Sequence, residues 1–293
     1  MNWWKKLRGK LKIKEPIKKH TTLGIGGKAK YFIEPFDERE LSEILKFAKQ
    51  ASFKVRLIGA GSNILSSDKP WNGIVIKLAA KNFTKLLVKK THIIAGAGAG
   101  LGSLVKKAKE NNLTGAEFLA GIPGTIGGAV FMNAGIKDLS MADLVEKIRV
   151  MDYNGNVMIL DRKKIVFSYR ESGLNKYIIL AVVFRFKSGR RQAIEGRIAR
   201  YLVERRLKQD WRNPSAGCVF KNPPGKSAGQ LIDICGLKGL NIGGAQVSYK
   251  HANFIINKGG ANSTDVATLM RRIKREIKCK FRVNLYPEIV IWD

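Results

Sequence analysis

Residues 53–65 read Phe-Lys-Val-Arg-Leu-Ile-Gly-Ala-Gly-Ser-Asn-Ile-Leu, a short apolar strand that runs directly into a glycine loop. A strand at Ala29–Ile33 lies upstream. Between the two, Leu41, Ile44, Leu45 and Ala48 recur at helical spacing behind Asp37, with Glu40 placed three residues on as in a capping box. Gly73–Leu78 adds a further strand, so the chain opens with a small β-α-β lobe ending near residue 78. Two more glycine loops follow, Gly96-Ala-Gly-Ala-Gly behind the strand at His92 and Gly121-Ile-Pro-Gly-Thr-Ile-Gly-Gly-Ala. None is a Rossmann fingerprint or a Walker loop. Glycine nevertheless lets backbone N–H groups converge on a pyrophosphate, and Ser62 and Asn63 add neutral donors. One such loop is ordinarily a tight turn; three in 293 residues point to a dinucleotide held along an extended groove.

Downstream, Leu101–Asn111 reads as a helix, and Val145–Asp152, Val157–Asp161 and Tyr177–Lys187 read as strands with Asn154-Gly155 as a hairpin turn. Glu195–Gln209 is a highly charged helix. A third region then shows Cys218–Phe220, Gly229–Cys235, Ala252–Ile256 and a helix over Thr264–Lys278 with Ser263 as N-cap, before a last strand at 282–292. The class is α+β, divided at 1–78, 79–190, 191–281 and 282–293.

With 45% hydrophobic residues the chain has enough apolar surface to fold. Its 54 basic and 23 acidic residues leave +31, which first suggests nucleic acid. The lysines and arginines are dispersed, however, with no recognition helix, RNP-like motif or zinc-finger spacing. Two readings stay open, a solvated basic surface and a field that draws anionic small ligands. Cys218, Cys235 and Cys279 have neither disulfide-framework nor metal-site spacing, so no metal is expected. Residues 1–20 lack a signal-peptide core and no run approaches the ~18 apolar residues of a membrane span. A soluble, cytoplasmic protein with no membrane insertion is expected.

Three further places carry candidate chemistry. Tyr169-Arg-Glu-Ser lies in a polar loop, where an isolated arginine is usually a surface charge. Pro214-Ser-Ala-Gly-Cys-Val-Phe-Lys-Asn-Pro sets Cys218 behind a flexible glycine, although a free cysteine is commonly a small buried hydrophobe. Glu288 sits in the apolar stretch Leu285-Tyr-Pro-Glu-Ile-Val-Ile-Trp, either on a solvent face or in a site.

In this order and spacing, these segments resemble the UDP-N-acetylenolpyruvoylglucosamine reductase family, and its shorter structural class. The resemblance runs from about His20 to Trp292 and includes Met132-Asn-Ala-Gly, Gly229-Gln-Leu-Ile-Asp, Gly236-Leu-Lys-Gly, His251–Asn257 and Pro287-Glu-Ile-Val. It implies a two-lobed FAD-binding module of the vanillyl-alcohol-oxidase/PCMH type plus a smaller α+β substrate-binding domain. It also implies an activity: reduction of UDP-N-acetylglucosamine enolpyruvate to UDP-N-acetylmuramate with FAD and NADPH, in peptidoglycan precursor synthesis, and so in cell-wall biogenesis, shape and division. The partners it implies are the UDP-sugar and NADPH, with no nucleic acid, acting on a monomer.

Residue by residue, the resemblance implies Arg170, Cys218 and Glu288 as the catalytic set. Gly59, Ala60, Gly61, Ser62, Asn63, Ile64, Gly121, Ile122, Pro123, Gly124, Thr125, Gly127, Gly128 and Ala129 would hold FAD. Tyr169, Lys208, Lys221, Asn222 and His251 would face the substrate. Two positions depart from the family pattern. Cys218 stands where the proton donor is commonly serine; a thiol, with a reference pKa of about 8.5, gives up a proton more readily than an alkanol. His20 stands where asparagine is expected before the threonine. The rivals are a basic nucleic-acid-binding protein and another oxidoreductase on the same flavin-binding fold. The third region, Pro214–Pro223 with Glu288, separates the reductase from both.

Overall fold

The structure is a computed structural model that describes residues 3–293 and packs the chain as two units. The first comprises the chain up to Glu15, Lys30–Ala60 and Asn72–Glu204; the second comprises Pro16–Ala29, Gly61–Trp71 and Arg205–Asp293. This division by packing differs from the linear one at 78, 190 and 281. Both expected flavin-binding lobes share one core, and two short pieces of the first lobe fold with the C-terminal region. Strand pairing is the cause: Ile64–Ser66 runs parallel to Val290–Trp292, with Ile64 opposite Val290.

The first unit holds a four-stranded sheet in the order Lys10–Pro16, Lys28–Glu34, Trp71–Ile76, Lys54–Leu57, the last two parallel. It also holds a five-stranded antiparallel sheet ordered Val157–Asp161, Val145–Asp152, Tyr177–Arg185, His92–Gly96, Leu86–Lys89. The helix Glu38–Gln50 buries Leu41, Ile44, Leu45 and Ala48, each large aliphatic contributing roughly 1.5–3 kcal/mol by removal from water. Its Asp37 cap accepts the Glu40 amide at 2.9 Å, but the expected capping box is only half formed. The buried Glu40 carboxylate instead accepts the amides of Arg8, Gly9 and Phe36, pinning the residues that lead into the edge strand Lys10–Pro16. That strand lies within residues 1–20, where the sequence reading placed no secondary structure.

The second unit packs an antiparallel sheet, Ser215–Cys218, Phe254–Asn257, Ala245–Val247, Asn241–Ile242, against the helix Ser263–Phe281. Leu23, Ile25, Leu65, Phe220, Ile255, Leu269 and Leu285 share its core. Three expected boundaries shift. The charged helix begins at Arg191 rather than Glu195. Asn262, not Ser263, caps the last helix, in a complete box with Asp265. The terminal strand is only Val290–Trp292, because Arg282 takes a left-handed conformation as the helix ends and Pro287 makes only an isolated bridge to Phe220. Among the described residues no helix is long and apolar enough to cross a membrane.

Candidate active site

The three glycine loops of the first unit are locked together. Ile126 and Gly127 donate their amides to Ala99 and Ala97, both at 2.8 Å, and Leu101 donates to Gly124 at 3.0 Å. Close packing demands glycine at several points: a Cβ on Gly59 would strike the Thr125 hydroxyl, one on Gly98 the Leu78 carbonyl, and one on Gly127 would lie 2.9 Å from the Ala97 methyl. Thr125 caps the short helix Ile126–Phe131, its hydroxyl accepting the Gly128 amide at 3.3 Å. The amides of Gly59, Ala60 and Gly124 meet no protein acceptor among the described residues. Partly exposed amide donors on residues with no side chain, or only a methyl, suit a pyrophosphate, so the residues present fit an FAD. The loop continues into the second unit, where Gly61 lies against the main chain of His20 and its carbonyl accepts the Thr22 amide at 3.1 Å. Ile64 is buried in its strand.

Arg170 occupies a tight turn closed by two backbone bonds, Ser168 N–H to Glu171 at 3.0 Å and Glu171 N–H to Ser168 at 3.2 Å. Its φ is 60°, a left-handed conformation that costs a non-glycine residue on the order of 1 kcal/mol. Buried polar groups hold it there. Asn133 donates to the Ser168 carbonyl at 2.8 Å while accepting the Ala142 amide at 3.0 Å, and the Ser172 hydroxyl donates to Phe131 O at 2.7 Å. The guanidinium itself donates to Gly135 O at 3.0 Å and lies 5.1 Å from the exposed Tyr169 ring.

In the second unit, Ser215 pairs with Ile256 and Cys218 with Phe254, so three steps on one strand face two on the other. The surplus residue is a bulge, and Gly217 at φ 75° absorbs it; bulges of this kind re-aim the side chain that follows, here half-buried Cys218. Beyond the bulge, Glu288 donates its amide to Val219 O at 2.8 Å and Lys221 its amide to Tyr286 O at 2.9 Å. Cys218 and Glu288 therefore sit on directly bonded segments. Asn222 accepts the Ala228 amide at 2.9 Å, which uses its side-chain oxygen inside the protein. His251 lies tilted against Phe254, with ring centroids 4.5 Å apart, and accepts the Asn253 amide on Nδ1 at 3.2 Å. Its burial, and secondarily Lys238 and Lys208, hold its pKa below the ordinary imidazole value. Lys208 is exposed at the end of its helix.

Sequence reasoning missed Asn133, Ser172 and Asn253, all buried polar residues. The signals were present: Asn133 lies in Met132-Asn-Ala-Gly, Ser172 closes Tyr169-Arg-Glu-Ser, and Asn253 interrupts an apolar strand.

A family model described as FAD binding domain matches residues 29–161. A solved 6-hydroxy-D-nicotine oxidase from Arthrobacter nicotinovorans, 15% identical, superposes over 62% of this chain and 43% of that one with a TM-score of 0.50, which shows a shared fold. The family model and the fold together define a protein with an FAD-binding domain, of the α+β class. A second family model, UDP-N-acetylenolpyruvoylglucosamine reductase, C-terminal domain, matches residues 209–292. The UDP-N-acetylenolpyruvoylglucosamine reductase of Caldanaerobacter subterraneus subsp. tengcongensis is 42% identical over 97% of this chain and 94% of its own. The crystal structure of the Thermus caldophilus reductase superposes with a TM-score of 0.84 at 36% identity, over 98% of this chain and 100% of that one. The chain belongs to the UDP-N-acetylenolpyruvoylglucosamine reductase family, whose members carry out FAD-dependent reduction of an enolpyruvyl group in peptidoglycan precursor synthesis, with NADPH as reductant.

Proposed function

We propose that Arg170, Cys218 and Glu288 carry the reduction of UDP-N-acetylglucosamine enolpyruvate, with the strained, clamped turn at Arg170 as the observation that supports this most directly. Left-handed non-glycine residues recur at functional sites, and this one, unlike Arg282 at a helix end, lies in a turn clamped by buried polar side chains. Gly59–Ile64 and Gly121–Ala129 hold the pyrophosphate side of FAD, residues 1–78 and 79–190 serving as its two lobes and 191–281 with the terminal segment as the substrate region. The flavin supplies two-electron hydride chemistry when bound. Reduction of the enolpyruvyl double bond at its terminal methylene leaves negative charge on the carbon beside the carboxylate. Arg170 stabilises that charge through its planar fork, more strongly in the transition state than in the ground state. Glu288 orients the substrate carboxylate as a protonated or donor-bridged group. Cys218 then transfers its Sγ proton to the carbon next to the carboxylate, completing the saturated lactyl ether and leaving a thiolate that solvent reprotonates.

Tyr169, Lys208, Lys221, Asn222 and His251 surround the UDP-sugar in this reading. The protein works as a cytoplasmic monomer without a nucleic-acid partner, its +31 charge raising the local concentration of anionic substrates. The test is anaerobic spectroscopy: the FAD-loaded protein bleaches with NADPH and recovers its colour on adding the enolpyruvyl substrate. A colourless protein that fails to take up FAD, or one whose reduced form ignores the substrate, contradicts it.

A further inference from the structure

We propose that Asn253 is a positioning residue that sets Cys218 and Glu288 in register, a role that rests on the reading of those two residues as the acid and the carboxylate-orienting group. Asn253 is 3% exposed and stands just ahead of the strand Phe254–Asn257. Ordinary sheet pairing ends one residue past the Gly217 bulge, at Cys218 opposite Phe254, so Val219 and Phe220 lie beyond the ladder with that strand. Asn253 supplies one. Its main-chain oxygen accepts the Val219 amide at 2.8 Å, its side-chain oxygen accepts the Phe220 amide at 3.0 Å, and its side-chain nitrogen donates to the Phe220 carbonyl at 2.8 Å. A side-chain amide thus imitates a neighbouring strand for one residue, satisfying both polar groups of a fully buried phenylalanine.

The consequence reaches the other chemical group. Val219 O, on the clamped segment, accepts the Glu288 amide at 2.8 Å, and Phe220 bridges Pro287. One residue therefore braces the segment that follows Cys218, its main chain through Val219 and its side chain through Phe220, and that segment in turn bonds the one that presents Glu288. No part of Asn253 has to touch substrate. Misplacing reactive groups by about 1 Å costs on the order of 10²-fold in rate, so a residue that holds two of them in register governs turnover indirectly.

The test uses Asn253→Asp, which keeps shape and the acceptor for Phe220 N–H but sets an oxygen against the Phe220 carbonyl. In the FAD-loaded protein, reduction by NADPH is expected within about 2-fold of wild type, because that step needs no proton from Cys218. Reoxidation by the enolpyruvyl substrate in a single turnover is expected to fall about 10- to 100-fold. In the flavin-free protein, the amides of Lys221 and Glu288 are expected to exchange at least about 10-fold faster, a readout independent of activity. If Asn253→Asp does not bind FAD, Asn253→Ser, which keeps one of the two side-chain bonds, carries the same comparison with a smaller loss. Wild-type reoxidation in the Asn253 variant, alongside slow reoxidation in Cys218→Ala, overturns the positioning role alone. Wild-type reoxidation in both overturns the reading of Cys218 on which it stands. Equal slowing of both half-reactions shows a general structural role, and unchanged exchange at Lys221 and Glu288 shows that Asn253 does not hold these segments; either result also overturns it.

Discussion

Asn63, in the first glycine loop, donates its side-chain amide to the main-chain oxygen of Glu288 at 3.1 Å, and its own carbonyl accepts the amide of Val290 at 2.9 Å. The loop proposed to hold the flavin is therefore bonded on both sides of Ile289 to the segment that carries the proposed carboxylate. Asn63→Ala keeps the backbone bond and loses the side-chain one. A stability loss of about 1 kcal/mol is expected in denaturant unfolding, together with slower turnover at unchanged FAD content. Wild-type values of both would show that this bond positions nothing.

Arg170 separates strain from chemistry. Arg170→Gly removes the guanidinium and also the left-handed penalty, whereas Arg170→Ala removes the guanidinium and keeps the penalty. Both variants are expected to lose turnover, with the glycine variant the more stable by about 1 kcal/mol in equilibrium unfolding. Equal stability of the two would mean that the turn relaxes without cost, and the strain argument would fall.

Glu40 is the bolt of the N-terminal arm. Its carboxylate takes amides from Arg8, Gly9 and Phe36, and bonds to a charged acceptor contribute more than neutral ones. Glu40→Ala is expected to destabilise the first unit by about 2–3 kcal/mol and to expose Lys6–Lys10 to limited proteolysis, while reduction of FAD by NADPH in the intact fraction stays normal. Resistance of that segment to cleavage would refute the assignment.

His251 gives a pH dependence. Burial, followed by Lys238 and Lys208, lowers its pKa, against an opposing backbone hydrogen bond. The unfolded chain, with the ordinary value of about 6.5, binds the proton first as pH falls. Its contribution to stability is therefore complete above about pH 6.5 and declines as pH drops from there through the lowered folded value. Unfolding followed from pH 7.5 to 5 should show this decline in the wild type and a flatter profile in His251→Gln. Identical slopes would mean that the imidazole is not held neutral.

Much of the fold was legible because the apolar spacing was regular: Leu41, Ile44, Leu45 and Ala48 lie buried on the helix that Asp37 caps. The glycine loops stood out as candidate ligand-binding backbone because each was read as following a strand; two do, after Lys54–Leu57 and His92–Gly96, whereas the third follows the helical turn Glu117–Leu119. What could not be read was long-range pairing. Nothing local in Ile64–Ser66 announces Val290–Trp292 as its partner, so the division of the chain by packing stayed hidden. The clamps escaped for a related reason. Asn133 bonds Ser168 across 35 residues and Asn253 bonds Phe220 across 33, and a buried asparagine looks like a surface residue until its distant acceptor is known. Glu40 shows the converse, where a correct local pattern was overridden by tertiary partners at Arg8 and Gly9.

The central claim, that Cys218 delivers the proton in place of a hydroxyl, is tested most directly by single-turnover reoxidation of the NADPH-reduced Cys218→Ala variant with the enolpyruvyl substrate. Loss of a positioned acid is typically worth ~10²- to 10⁴-fold, so the alanine variant is expected to reduce normally and then stall by that factor, while Cys218→Ser retains appreciable activity. Reoxidation of the alanine variant at the wild-type rate would contradict the account and leave Cys218 as a packing residue behind its bulge.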